Sequence, residues 1–292
     1  MLLEMVNHLR PWPHLLARTG AWPVLAALGR VRSAIDIVNQ ATMARAVDEY
    51  QLDDELESRE RNALATVIEK VKDQPILDLG VGAGRTVKGL LQISHDYTGV
   101  DYVPEMVDHC RKAFPGVRFE HGDARSLSQF PDQSFALVFF SCSGMGMVDH
   151  EGRLLILNEV HRVLMPGGFF VFSTANLNGS NARRVFAWPR VTPSTDPLRF
   201  MVRRARFLGD VGVRVVNRLR FKRHEAHAPT YAILNDVSHN YGTFAYFITL
   251  ENQRRQLQDA GFSSDAVVFD LSGRRVETDT TDGSMMIVAA KA

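Results

Sequence analysis

The chain has 292 residues, 45% of them apolar, with 34 Lys+Arg against 33 Asp+Glu and a formal net charge of +1. That length suits about two domains of ~150 residues, or one α/β domain with appendages. The composition excludes a disordered or collagen-like chain. Two cysteines, Cys110 and Cys142, exclude a disulfide framework and a four-cysteine zinc site.

Both cysteines stand among apolar neighbours, which reads as a reduced, cytoplasmic protein. No apolar run approaches the ~20 residues of a membrane span. The start does not read as a signal peptide, because Glu4 comes early and Arg18 and Pro23 interrupt the apolar stretch.

In chain order, residues 1–60 read as an N-terminal helical cap. Leu25, Leu28, Val31, Ile35 and Val38 recur at helical spacing. A second helix is expected from about Glu55 to Lys72, ended by Pro75. Strands are then expected at 76–80, 97–101, 117–121, 135–141 and 168–174, with helices at 85–93, 104–113 and 151–164 between them. Such alternation builds right-handed βαβ units and a parallel sheet covered on both faces. Residues 61–175 thus form a Rossmann-like core. Residues 176–240 break the rhythm and read as an inserted basic lid. Residues 241–292 complete the core with a helix at 251–260 and strands at 265–271 and 284–290.

The segment ILDLGVGAGRT, residues 76–86, carries the chemistry. A strand with Asp78 runs into a turn containing Gly80, Gly82 and Gly84, and a helix follows. Glycines there let the backbone approach a ligand closely, and helix N-terminal N–H groups face a polar group. The spacing is G-x-G-x-G, not the G-x-G-x-x-G of dinucleotide sites, which opposes a dehydrogenase. The next strand ends in Asp101, an acid able to accept hydrogen bonds from ribose hydroxyls. The third ends in Gly122-Asp123-Ala124, where a carboxylate can accept from an adenine amine. A ribose acid and an adenine acid without a phosphate loop describe an adenosine lacking phosphates.

These stretches, with YTGVDYVPEMV, SFALVFFSCSGMGMV and NEVHRVLMPGGFFVFSTAN in the same order, resemble the class I S-adenosylmethionine-dependent methyltransferases. The resemblance implies an α/β fold with a doubly wound, mostly parallel seven-stranded sheet of order 3-2-1-4-5-7-6, the seventh strand antiparallel. It implies S-adenosyl-L-methionine as cofactor and no metal. By the same resemblance Asp78, Gly80, Val81, Gly82 and Gly84 hold the methionyl part and sugar. Asp101 takes the ribose, Tyr102 and Met106 lie against the adenine, and Asp123 and Ala124 read its edge. Phe140 and Ser141 face the methyl donor. Ser141-Cys142-Ser143-Gly144 stands where enzymes that methylate base amino groups carry [DN]-P-P-[YFW], which opposes that specificity.

The substrate is expected under the added segments. In NDVSHNYGTFAYF, residues 235–247, Asn235, Asp236, His239 and Tyr241 make a polar wall. A protonated nucleophile needs a base, and His239 is the first candidate, with His150 second and Tyr241 beside them. Tyr231 and Tyr246 are candidates for gripping the substrate.

Between Asn176 and Arg223 stand twelve Arg+Lys and two acids, so this segment carries +10 and the remaining 22 bases and 31 acids carry −9. Leu198, Met201, Ala205, Leu208, Val215 and Leu219 fall near one helical face. Arg199, Arg203, Arg206, Arg214, Arg218 and Lys222 fall on another. A basic amphipathic helix suits an anionic membrane surface, an acidic partner or an anionic substrate, or packs its apolar stripe on the domain as a lid. The reading is a metal-independent enzyme methylating O, N, C or S of a small molecule, anionic or lipid-like. Nucleic acid is disfavoured by the sparse aromatic interleaving. A nucleic-acid or protein methyltransferase docking through 183–223, and a cofactor-binding protein without transfer, stay open. The N-terminal apolar helices serve equally as a lid or as a surface for a homo-oligomer.

Overall fold

Each short apolar run becomes a strand because both of its faces are covered. All residues of β1 (Ile76–Leu79), β2 (Tyr97–Asp101) and β4 (Phe135–Phe140) are buried. The computed structural model describes residues 33–46, 55–183, 186–189 and 196–292. The helices expected over 1–32 lie outside them, and residues 34–292 form one compact unit.

The sheet runs β3 (Arg118–His121), β2, β1, β4, β5 (Leu164–Asn176), β11 (Ser284–Ala290), β9 (Val267–Phe269) and β10 (Arg275–Val276). The first five are parallel and β11 is antiparallel to β5. With 267–269 and 284–290 as sixth and seventh strands, this is the order 3-2-1-4-5-7-6. One apolar layer lies under α6 (His150–Val163) and α8 (Leu250–Asp259), through Ile156, Val160, Val163, Leu250 and Leu257. The other lies under α2 (Ser58–Ala65), α4 (Val87–Leu91) and α5 (Pro104–Ala113), through Leu64, Val87, Leu90 and Val107.

Four expectations are corrected. The helix over 55–72 is two pieces, α2 and α3 (Ile68–Val71). The Thr66 hydroxyl donates to Ala63 O at 2.6 Å, competing with the helical ladder. Strand β5 begins at Leu164, whose backbone is already extended, so α6 ends before Pro166-Gly167 is reached. The insertion is not only a lid. It supplies β6 (Ala226–His227) and β7 (Tyr231–Asp236), and β7 forms a hairpin with β8 (Thr243–Ile248). Strand β8 then extends the sheet by pairing Ala175 with Phe247 and Asn176 with Ile248. The boundary expected at 240 therefore falls inside a hairpin turn. Finally, Cys142 is exposed while Cys110 is buried.

Before the sheet, α1 (Ala34–Arg45) crosses the carboxyl ends of the strands. Its buried Asn39 donates to Met147 O at 2.7 Å and to Phe244 O at 3.0 Å, and its carbonyl oxygen accepts from Phe244 N–H. Thr42 donates to Gly242 O at 2.7 Å. In the insertion, α7 (Pro197–Phe221) is a helix of 25 residues, about 37 Å long at ~1.5 Å per residue.

Candidate functional site

Parallel register brings the predicted residues to one edge. Asp78 lies level with Gly99 of β2 and Phe139 of β4, and Asp101 with His121 of β3. The Gly80–Gly84 turn, Asp101, Asp123, Phe140 and Ser141 therefore emerge together at the carboxyl ends, where open α/β sheets bind ligands.

The turn is shaped by its glycines. Gly80 has φ +63, and a Cβ there would lie 2.6 Å from the Phe140 ring. Gly82 has φ +55, and a Cβ there would meet nothing closer than Gly80 O at 4.0 Å, so the turn opens onto space. Val81 is buried, its N–H bonded to Val100 O at 3.2 Å. Gly82 N–H donates to Asp101 Oδ2 at 2.9 Å, and Val103 N–H to Oδ1 at 2.9 Å. Each oxygen keeps a further lone pair for a hydroxyl. Burial pushes this carboxyl above its ordinary range, against those two N–H donors. Tyr102 and Met106 pack with Ala83 and Val103 against Met43 and Ala44 of α1.

Asp78 lies below the turn. Its Oδ2 accepts from the Thr86 hydroxyl at 2.6 Å and the Tyr97 hydroxyl at 2.9 Å. Burial pushes its carboxyl up to about 7, and the nearby Glu60 carboxylate adds to this. Asp123 is taken up by Arg125, whose Nε lies 3.0 Å from both carboxylate oxygens and whose Nη2 lies 2.7 Å from Oδ2. Arg125 also reaches Asp36 of α1 at 2.7 Å, tying that helix across the cleft. Ala124 packs into the core layer under α6.

Sequence reasoning missed Glu60. This fully buried carboxylate receives Arg85 through both oxygens, at 2.6 and 2.7 Å, and the Ser141 hydroxyl as well. Arg85 Nη2 also donates to Ser141 Oγ at 2.9 Å. Burial raises Glu60, but Arg85 outweighs it and holds the carboxyl below its ordinary value. The signal was legible: Glu60 stands four residues after Leu56 and four before Leu64, on the apolar stripe. Asn39, four residues after Ile35, follows the same rule. Arg125 and Asp36 gave no such signal.

The catalytic candidates separate. His150 is the first residue of α6. Its Nδ1 lies 2.8 Å from Tyr246 Oη, and its ring stacks on Tyr231 at 4.2 Å. Behind it, fully buried Arg153 lies 4.5 Å over the Tyr246 ring and donates to Met145 O, Thr174 Oγ1 and Gln253 Oε1. No carboxylate among the described residues pairs with it. Burial lowers its pKa to about 10. Burial, then the Arg153 charge, lower that of His150.

His239, Asn240 and Tyr241 form a left-handed run between β7 and β8, with φ of 49, 55 and 61. Such residues cost about 1–2 kcal/mol each. Polar contacts hold the run: Asn235 Nδ2 donates to Tyr241 O at 2.8 Å, and Asn217 Nδ2 to Asn240 O at 3.0 Å. Arg214 Nε donates to Asn240 Oδ1 at 2.8 Å. The buried Tyr241 hydroxyl accepts from Ala187 N–H at 2.7 Å, and Arg218 lies over its ring. A half-open pocket adjoins this run, lined by Arg183, Arg218, Lys222, His227, Asp236 and Phe247 among others.

A family model described as a methyltransferase domain matches residues 76–168. Demethylmenaquinone methyltransferase of Chlorobaculum parvum is 35% identical over 102 residues, 35% of this chain and 41% of that protein. Fatty-acid O-methyltransferase of Mycolicibacterium smegmatis is 32% identical over 109 residues, 36% of this chain and 38% of that protein. The matches thus span about two fifths of these curated relatives. The solved CcbJ methyltransferase of Streptomyces caelestis covers 87% of this chain and 98% of its own at a TM-score of 0.54 and 18% identity, a likeness of fold. Residues 76–168 are thus similar to a methyltransferase domain, and the 3-2-1-4-5-7-6 sheet shares its fold with solved methyltransferases.

Proposed function

We propose that this chain binds S-adenosylmethionine at the carboxyl ends of β1 to β4 and transfers its methyl group to a small, lipid-like molecule. The observation that carries the cofactor reading is the pairing of Gly82 N–H with Asp101 Oδ2 at 2.9 Å beneath the open space at Gly82. It sets an acid and a side-chain-free backbone side by side, as a ribose and an amino-acid tail require. When bound, the cofactor supplies an electrophilic methyl on a sulfonium. Asp101 accepts from the sugar hydroxyls, and Tyr102 and Met106 give an apolar flank for the base. Asp123 lies at the adenine edge with Arg125 closing its outer side. Phe140 and Ser141 border the reacting end. The relatives support a lipid-like acceptor, one of them being named for fatty acids.

His150 takes precedence over His239 as base. With its proton on Nδ1 donated to Tyr246 Oη, Nε2 keeps the lone pair a base needs. Its lowered pKa keeps that lone pair available at neutral pH. Activity dependent on it should fall only as pH drops below ~6.5. Tyr241, its hydroxyl engaged by Ala187, shapes the substrate wall.

Titration calorimetry tests the cofactor reading. S-adenosylhomocysteine should bind and NADH should not, and Asp101→Ala should weaken binding by about 1–3 kcal/mol, the loss of paired polar groups. Preferential NADH binding refutes it. Incubation of lipid extract with labelled S-adenosylmethionine then identifies the acceptor.

A further inference from the structure

In α7 the apolar stripe faces outward. Among the described residues eleven large apolar side chains are exposed, and eight of them lie on this one helix. Met201, Val202, Leu208, Val215, Val216 and Leu219 are between 41% and 76% exposed. At ~100° per residue they share one outward arc. The opposite arc carries the partly buried Phe207, Asp210, Arg214, Asn217, Arg218 and Phe221, whose Arg214, Asn217 and Arg218 engage the β7–β8 hairpin. The lid arrangement, with the apolar stripe turned to the domain, is therefore reversed. Arg204 borders the apolar arc on one side and Arg206 and Arg220 on the other. Arg204 and Arg220 lie over the rings of Phe200 and Phe221. Beside the helix, Trp188 is 68% exposed, and its neighbour Ala187 accepts from Arg214.

We propose that α7 docks in the plane of an anionic phospholipid surface. A continuous apolar arc edged by guanidinium groups is what an interfacial helix presents to acyl chains and headgroup phosphates together. Charge decides the occupant. Among residues 197–223 Asp210 is the only acid, against nine Arg+Lys, so a second copy on this face would set arginine against arginine. An anionic bilayer neutralises these charges instead. No helix among the described residues is long and apolar enough to cross a membrane, so this contact is peripheral.

Cosedimentation of the full chain with vesicles tests the proposal without any methyl-transfer assay. The protein should partition onto phosphatidylglycerol/phosphatidylcholine vesicles at least tenfold better than onto phosphatidylcholine alone, less so in high salt. The M201S/L208S/V216S/L219S variant should lose at least tenfold of this binding, with an unchanged circular dichroism spectrum and S-adenosylhomocysteine affinity. As a second probe, Leu208→Trp emission should shift to the blue and be quenched by brominated phosphatidylglycerol. Equal binding to both vesicle types, or an unquenched Leu208→Trp, overturns the proposal. So does RNA binding without vesicle binding, or a dimer that the fourfold variant abolishes.

Discussion

Replacing Glu60 by alanine removes the only carboxylate that the described hydrogen bonds give to Arg85. In the intact protein Glu60 accepts four donors: both Arg85 nitrogens, the Ser141 hydroxyl and Glu57 N–H at 2.8 Å. Breaking a buried ion pair from one side costs about 3–5 kcal/mol, because the remaining charge is stranded. Arg85 keeps 21% of its side chain exposed, so water screens part of the stranded charge and the lower end, ~3 kcal/mol, applies. Loss of the Glu60 charge also lets Asp78 ionise more readily, which offsets a little of the penalty. Urea unfolding at pH 7.5 followed by circular dichroism measures the difference. Glu60→Gln keeps one carbonyl acceptor and should lose about half as much. A loss below ~1 kcal/mol for Glu60→Ala would show that Arg85 is adequately solvated without its partner and would refute the reasoning.

Asp78→Asn probes the carboxyl pushed up to about 7. The folded pKa lies above the unfolded 3.8, so the folded wild type binds the extra proton between those values and loses stability as pH rises through that window. The variant cannot ionise. Its stability relative to wild type should therefore grow between pH 4 and 7 by a few kcal/mol at about 1.4 per unit, and parallel urea-unfolding profiles would refute the shift. Gly80→Ala forces a left-handed residue with a Cβ 2.6 Å from the Phe140 ring. It should destabilise by about 1–2 kcal/mol from backbone strain alone and weaken S-adenosylhomocysteine binding, and an unchanged melting temperature would show that the turn relaxes freely.

The core was legible because its signals are local. A strand buried on both faces announces itself as a short apolar run, and glycines at fixed offsets mark the turn. The order 3-2-1-4-5-7-6 came from family resemblance, not from periodicity. Strand β8 escaped because no strand is expected from the sequence between residue 176 and residue 264, where the polar stretch 235–241 dominates the pattern. Five of its six residues are buried, but the evidence for that lies in pairing with β5 and β7, far along the chain. The same distance hid Arg125–Asp36, 89 residues apart. Glu60 was recoverable, since an acid on an apolar stripe requires a buried partner.

The insertion shows why composition alone could not place its face. Its +10 fits a lid with the apolar stripe inward as well as a surface helix that meets an anionic membrane, an acidic partner or an anionic substrate. In the structure two of the arginines are consumed inside. Arg214 fixes Asn240, and Arg218 covers the Tyr241 ring and pairs with Glu225. Three consecutive left-handed residues need about 3–6 kcal/mol of support at ~1–2 kcal/mol each, and these contacts, with Asn217 and Asn235, supply it. The position of α7 and the geometry of the His239–Tyr241 turn are thus one mechanical unit. A displacement of α7 therefore strains the β7–β8 turn directly, through Arg214, Asn217 and Arg218.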